Sequence, residues 1–291
     1  MNDASSQIPL INSVSGLAEQ YDVWLCDIWG VMHNGLRPFP TASHAGEYFR
    51  SRGGTVILIS NSPRPREGVI EQLSAIGVAR GAWDGVTTSG DVTRDLIAQN
   101  QGRPILHLGP ERDRGVFEGL EVAFADAEGA ELIVCSGLYD DLNETPDDYE
   151  EVLGDLVQRG LPMICANPDL MVERGEKLIY CAGALAQAYE KLGGKVVYAG
   201  KPHRPLYEMA LGLAGEMRGY PIDPGRVLAI GDGLKTDMAG AAAAGLDALF
   251  VASGLHLEQA GSDGSATAEE IAGLFTKMNM RPVAAQARLS W

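Results

Sequence analysis

Short apolar runs alternate with longer amphipathic stretches along most of the chain. Residues 23–27, Val-Trp-Leu-Cys-Asp, read as a strand. A helix is predicted over 42–52, a β-branched buried strand over 55–59, and a helix over 64–76 stopped by Gly77. The rhythm returns near the other end. A helix spans 205–218, a strand 227–230, a helix 235–244 stopped by Gly245, and a strand 248–251. In the middle, 105–108, 132–135 and 163–166 read as strands. Thr145-Pro146, inside the acidic stretch 139–151, marks a helix start. Strands alternating with helices imply βαβ units and a parallel sheet covered on both faces. The expected fold class is α/β: a doubly wound parallel-sheet core whose two ends form halves of one sheet, with a second α/β domain inserted between them. The tail, 279–291, has no clear period and is expected to pack loosely.

Several of these strands run into polar residues. The first ends on Asp27, and the second leads into Ser60-Asn61-Ser62. A short strand at 196–198 leads into Gly200-Lys201-Pro202, and 227–230 leads into Gly231-Asp232-Gly233 and then Asp237. Open parallel sheets bind ligands beyond the carboxyl ends of their strands, where strand order reverses. Four such ends would offer carboxylates, a hydroxyl and an ammonium to one crevice. Hard oxygen ligands suit Mg²⁺. Mg²⁺ and a lysine can together neutralise a phosphoryl group, and a carboxylate can attack phosphorus. Taken singly, each residue is an ordinary turn former or helix cap. Gly231-Asp232-Gly233 is no dinucleotide fingerprint, because Thr236 stands where the third glycine belongs, and no G-x-x-x-x-G-K-[ST] phosphate loop occurs.

Charge narrows the partners. The 291 residues carry 39 Asp+Glu against 23 Lys+Arg, a formal net charge of −16. That argues against a nucleic-acid or anionic-membrane partner, since both need a basic footprint. No stretch reaches the roughly 18 apolar residues of a membrane span, and no secretory leader is evident at the N-terminus. The four cysteines, Cys26, Cys135, Cys165 and Cys181, form no C-x-x-C pair and are expected buried and reduced. A cytoplasmic protein is the expectation.

The order Asp27-Ile28-Trp29-Gly30-Val31, then Ser60-Asn61, then Gly200-Lys201-Pro202, then Gly231-Asp232-Gly233 and Asp237 resembles the haloacid dehalogenase-like (HAD) phosphohydrolases. More narrowly it is similar to their NagD-like subclass (class IIA), whose large α/β cap is inserted between the second and third motifs. Thr88-Ser89-Gly90-Asp91 looks like that branch's cap entry. Ala166-Asn167-Pro168-Asp169 and Cys181-Ala182-Gly183 look like its exit. The resemblance covers about residues 20–255. It implies a Rossmann-like HAD core over 1–84 and 192–291 and a cap over 85–191. By position, Asp27 would be nucleophile and metal ligand, Ser60 would hold the transferred phosphoryl group, and Lys201 would neutralise both. Asp232 would ligate Mg²⁺, with Asp237 supporting it through water. Asn61, Arg64, Asn167 and Asp169 are candidate contacts to a small phosphorylated metabolite. A homodimer through the cap is also implied.

Trp29 departs from the pattern. Family phosphatases carry a second aspartate there: its backbone carbonyl ligates Mg²⁺, and its side chain protonates the leaving oxygen and activates water. Trp29 keeps the carbonyl, but its indole N–H cannot shuttle a proton. Losing such general acid–base help typically costs about 10²–10⁴-fold in rate. Activated esters should suffer least. The expected function is therefore a Mg²⁺-dependent phosphohydrolase, slow or restricted to good leaving groups, or one in which His33 substitutes for the acid. The alternatives are a phosphate-ligand binding protein with little turnover and, ranked lowest, carbon-centred dehalogenase-like chemistry. Trp29 could also simply pack over the crevice, or stack on a planar ring. Arg66 and His203 are weaker candidates, read as a solvated helix-start arginine and a helix opener.

Overall fold

The computed structural model describes residues 8–174, 177–252, 268–275 and 281–291. Along the chain its strands are β1 (Val23–Asp27), β2 (Thr55–Ser60), β3 (Gly85–Thr88), β4 (Ile105–Leu108), β5 (Leu132–Cys135), β6 (Pro162–Cys165), β7 (Met171–Arg174), β8 (Lys177–Tyr180), β9 (Lys195–Tyr198), β10 (Val227–Gly231), β11 (Asp247–Val251) and β12 (Ala284–Gln286). Its helices are α1 (Ser15–Ala18), α2 (Pro40–Ser51), α3 (Arg66–Ile76), α4 (Ser89–Ala98), α5 (Glu150–Gln158), α6 (Ala182–Lys191), α7 (Arg204–Arg218), α8 (Ala239–Ala244) and α9 (Ala268–Phe275). The protein has the α/β fold expected, with parallel sheets and helices in both parts.

The chain divides into two compact units. One comprises 1–60, 70–87 and 207–291, and the other 61–69 and 88–206. The sequence pattern put the divisions at 84/85 and 191/192.

The first unit holds a six-stranded sheet in the order β12-β11-β10-β1-β2-β3. β1 pairs in parallel with β2 on one side and β10 on the other. Every residue of β1 and β10 is buried, as the unbroken apolar runs demand of central strands. From β1 the chain builds outward through β2 and β3, and after its return it builds the other way through β10, β11 and β12. Strand order therefore reverses between β1 and β10. The predicted helix 235–244 begins as a π-type turn, Leu234–Met238, and becomes α-helical only over α8, which Gly245 closes in the left-handed region (φ 71°).

The tail does not pack loosely over its described part. β12 adds to the sheet edge through parallel pairing with β11, with all three residues buried. The Ala285 amide donates to the Pro9 carbonyl, and Trp291 lies with its ring centroid 6.5 Å from that of Trp24. Three residues are too few to show a period, and the partners that order them are distant in sequence.

The second unit carries a parallel four-stranded sheet, β4-β5-β6-β9, and an antiparallel hairpin, β7-β8. A core of Ile133, Leu153, Leu156, Met163, Leu185 and Tyr189 fills one side of the sheet. The 196–198 strand is thus not part of the six-stranded sheet. β9 pairs with β6, setting Tyr198 opposite Cys165. Four short β-capable residues carry no mark of which sheet they join. Thr88 and Asp91 form a reciprocal capping box that starts α4. All four cysteines are buried free thiols. Burial pushes Cys135 and Cys181 up to about 12, far from a reactive thiolate. No helix among the described residues is long and apolar enough to cross a membrane.

Candidate functional site

The reversal of strand order fixes where chemistry can assemble in the first unit. Cys26 lies opposite Ile230, so Asp27, closing β1, and Asp232, just past β10, emerge side by side at the carboxyl edge of the sheet. Ile59 lies opposite Asp27, which brings Ser60 to the same edge. Asp237 returns from the π-type turn. Carboxylate oxygens of Asp27, Asp232 and Asp237 lie within 4.8 Å of one another, with Asp27 and Asp237 buried and Asp232 partly so. Asp237 is anchored from several sides. The Gly233 amide donates to its Oδ2 at 3.1 Å, the Thr236 hydroxyl reaches the same oxygen at 3.3 Å, and the Tyr207 hydroxyl donates to its backbone carbonyl at 3.3 Å. Three converging carboxylates in a half-buried setting are costly without a cation and suit a hard divalent ion. The donor set fits Mg²⁺.

Glycine makes the convergence possible. Gly30 has φ +81°, and a Cβ there would overlap the Asp232 carboxylate. The loop after β1 thus presses its bare backbone against this group. The loop is tightly cross-strapped: the Gly30 amide donates to the His33 carbonyl, the Met32 amide to the Ile28 carbonyl, and the Phe39 amide to the Met32 carbonyl, each at 2.8 Å.

Trp29 and His33 sit in that loop, the first half-exposed and the second buried. Trp29 is 45% exposed. Its indole meets the His33 imidazole edge-on, with centroids 5.4 Å apart, and its benzo ring lies where a Gly35 side chain would stand. His33 is only 2% exposed, and its Nδ1 accepts the Gly35 amide at 2.9 Å. Burial lowers its pKa. At neutral pH it is uncharged with its proton on Nε2, so it is a poor replacement for the carboxylic acid missing at 29.

The second unit holds the other candidates. Asn61 is a clasp. Its Oδ1 accepts the Lys201 amide at 2.7 Å, while its Nδ2 donates to the Lys201 carbonyl at 3.1 Å and to Asp169 Oδ1 at 2.9 Å. Asn167 Oδ1 in turn accepts the Asp169 amide at 3.1 Å. The Asn61 amide group is therefore engaged in fixing the backbone at Lys201, and Asn167 and Asp169 brace it. Lys201 itself is buried. Arg66 pairs with Asp91 at 3.2 Å, and the Arg64 charge partly opposes the burial that raises the Asp113 pKa. His203 stacks on Tyr198 with centroids 4.5 Å apart.

One cluster escaped the sequence reading. At the carboxyl ends of β4 and β5, His107 Nε2 meets the Ser136 hydroxyl at 2.9 Å, and buried Asp113 lies close by between Arg112 and Ser136. Burial raises Asp113 and drops His107 to about 4. The signal was present in Gly109-Pro110 and Ser136-Gly137, which follow their strands as Asn61 follows β2.

Comparison with known proteins gives the family. A profile described as haloacid dehalogenase-like hydrolase matches residues 24–123, and a HAD-hydrolase-like profile matches 198–274. A crystal structure of a haloacid dehalogenase-like family hydrolase from Brucella suis 1330 superposes with a TM-score of 0.83 at 47% identity, covering 96% of this chain and 99% of that one. The 5'-nucleotidase YutF of Bacillus subtilis is 25% identical over 81% of this chain and 88% of its own length. The ribonucleotide monophosphatase NagD of Escherichia coli K12 is 25% identical over 79% and 87%.

Proposed function

Because this chain belongs to the haloacid dehalogenase-like hydrolases, in their NagD-like branch, we propose that it is a Mg²⁺-dependent phosphohydrolase acting on a small phosphorylated metabolite through an aspartyl-phosphate on Asp27. The observation that carries the reading is the convergence of Asp27, Asp232 and Asp237 within 4.8 Å at the reversal point of the sheet.

In this reading Asp232, Asp27 and the Trp29 carbonyl hold the ion, and Asp237 supports its shell. Bound there, Mg²⁺ would supply positive charge to the phosphoryl oxygens. An Asp27 carboxylate oxygen attacks phosphorus, and the bond from phosphorus to the leaving oxygen breaks with its electron pair on that oxygen. The Ser60 hydroxyl holds the transferred group, and Lys201, by its place in the motif order, is the cation assigned to offset its charge. Water then attacks the aspartyl-phosphate, releasing phosphate and regenerating Asp27. With tryptophan at 29 and a neutral His33 beside it, the leaving oxygen departs unprotonated. Turnover is thus confined to esters and anhydrides whose leaving groups are stable anions. The reduced thiols support a cytoplasmic setting.

The test is phosphate release with Mg²⁺ from acetyl phosphate, phenyl phosphate, a nucleoside diphosphate and a hexose phosphate, with Asp27→Asn as control. Release from the activated compounds, abolished in Asp27→Asn, is expected. No release above the control from any of them would leave a binding protein that holds phosphorylated ligands without consuming them.

A further inference from the structure

We infer that Tyr207 is a positioning residue for the Mg²⁺ site, its hydroxyl tethering the backbone of Asp237 so that this carboxylate stays aimed at Asp27 and Asp232. The inference rests on the phosphohydrolase reading and adds to it a residue that touches neither ion nor substrate.

Asp237 stands on unusual backbone. Leu234–Met238 is a π-type turn: the Met238 amide donates to the Gly233 carbonyl at 3.0 Å, and the Ala239 amide reaches back five residues to Leu234. An α-helix makes such bonds over four residues. Turns of this kind are rare and recur at functional sites. This one lasts five residues before α8 takes over, too few to be stable by their own bonds. Neighbours hold it instead. The bare backbone of Gly231 flanks the carboxylate, since a Cβ there would lie 2.2 Å from Asp237 Cγ. On the main-chain side stands Tyr207, from the first turn of α7, donating its hydroxyl to the Asp237 carbonyl at 3.3 Å. All these residues belong to the first unit.

The neighbouring helix makes a seat for the phenol. α8 reads Ala-Gly-Ala-Ala-Ala-Ala. Glycine weakens a helix relative to alanine, and the single glycine falls where the ring lies. A Cβ on Gly240 would stand 2.4 Å from the Tyr207 Oη and 2.6 Å from its Cε2. The helix thus gives up stability to admit this side chain. Packing alone does not ask for the hydroxyl. Tyr207 is buried, and phenylalanine would fill the same space with no polar group to desolvate. The bond to the Asp237 carbonyl gives the oxygen its task. Carboxylate oxygens of Asp27, Asp232 and Asp237 lie within 4.8 Å of one another, where like charges repel. A main chain tethered at Asp237 resists that repulsion. Less ordering is then left for the ion to impose, and its affinity rises.

Tyr207→Phe tests it by removing the oxygen and keeping the ring. Tyr189→Phe is the control, because the buried Tyr189 hydroxyl donates to the Leu161 carbonyl at 2.7 Å in the second unit. Both variants should lower the thermal midpoint in EDTA, as the loss of a buried hydrogen bond does. Only Tyr207→Phe should weaken the binding of Mg²⁺, titrated alone by calorimetry, by roughly 3- to 10-fold, the worth of one hydrogen bond. Gly240→Ala displaces the ring from the α8 side and should weaken the ion as well. The double variant should bind no more weakly than the poorer single one, because both changes sever one contact. Mg²⁺ affinity unchanged in Tyr207→Phe, or lowered equally in Tyr189→Phe, overturns the tether while leaving the hydrolase reading intact. No Mg²⁺ binding by the wild type overturns both. Mg²⁺ weakened in Tyr207→Phe alone of the two, with no phosphate released from any ester, keeps the tether and removes the hydrolase.

Discussion

Gly30→Ala separates the carboxylate cluster from the fold that carries it. The glycine sits at φ +81°, and a methyl group there would overlap the Asp232 carboxylate. An L-residue in this left-handed region costs about 1–2 kcal/mol. Relieving the overlap requires the carboxylate to retreat by roughly 1.5 Å to reach ordinary contact distance. Gly53→Ala provides the control, because Gly53 has φ +87° with open space around its Cβ position. Both variants should lose the same few degrees of thermal midpoint in EDTA, at about 2–4 °C per kcal/mol. Only Gly30→Ala should lose Mg²⁺, by about 10–100-fold, the usual effect of misplacing a ligand's support. At a concentration 100 times the wild-type Kd, the ion stabilises by about 2.7 kcal/mol. A variant weakened 100-fold then gains only about 0.4 kcal/mol. The Mg²⁺-dependent rise in midpoint should therefore be smaller in Gly30→Ala by roughly 5–9 °C. Titration calorimetry reads the affinity directly. If Gly30→Ala gains as much from Mg²⁺ as Gly53→Ala does, Asp232 is not a ligand and the reasoning fails.

Further expectations concern the ion, the clasp, pH and assembly. Asp232→Asn should abolish the Mg²⁺-dependent rise in midpoint while leaving the EDTA midpoint equal to or above that of the wild type, since one of three converging negative charges is gone; scanning calorimetry decides. Asn61→Ala removes the acceptor for the Lys201 amide and the donor to Asp169. It should cost about 2–3 kcal/mol in urea unfolding, and no loss would show that the clasp is idle. Burial holds His107 at about 4 against an ordinary 6.5. The unfolded chain thus binds a proton that the folded one refuses between these values, and the stability present above 6.5 is lost as pH falls toward 4. His107→Gln should make that fall shallower in a pH series of thermal midpoints. Leu170, Met171, Leu178 and Leu192 are exposed on the second unit. We propose that they form a homodimer contact, which Leu178→Glu should convert to monomer by light scattering.

The sequence alone determined much of this protein, for reasons specific to its strands. Central parallel strands are buried on both faces, so Val23–Asp27 and Thr55–Ser60 appear as unbroken apolar runs that end sharply on a polar residue. The same sharp ends made Asp27, Ser60 and Asp232 visible as candidate chemistry, because a polar residue closing such a run has nowhere to go but the sheet's edge. What the chain could not show was which edge each residue joins. β9 belongs to the second sheet, and β12, three residues of Ala-Ala-Gln, is ordered only by β11 and the distant Pro9. Asn61 was legible as a polar residue at a strand end, but its partners 108 and 140 residues away, Asp169 and Lys201, were not. Trp29 was legible, through the family resemblance, as a departure from the aspartate expected there, but its exposure and its seat against Gly35 and His33 were not. Side-chain type follows from local sequence, whereas partner, exposure and protonation depend on what long-range packing brings alongside, and only the tertiary structure decides that.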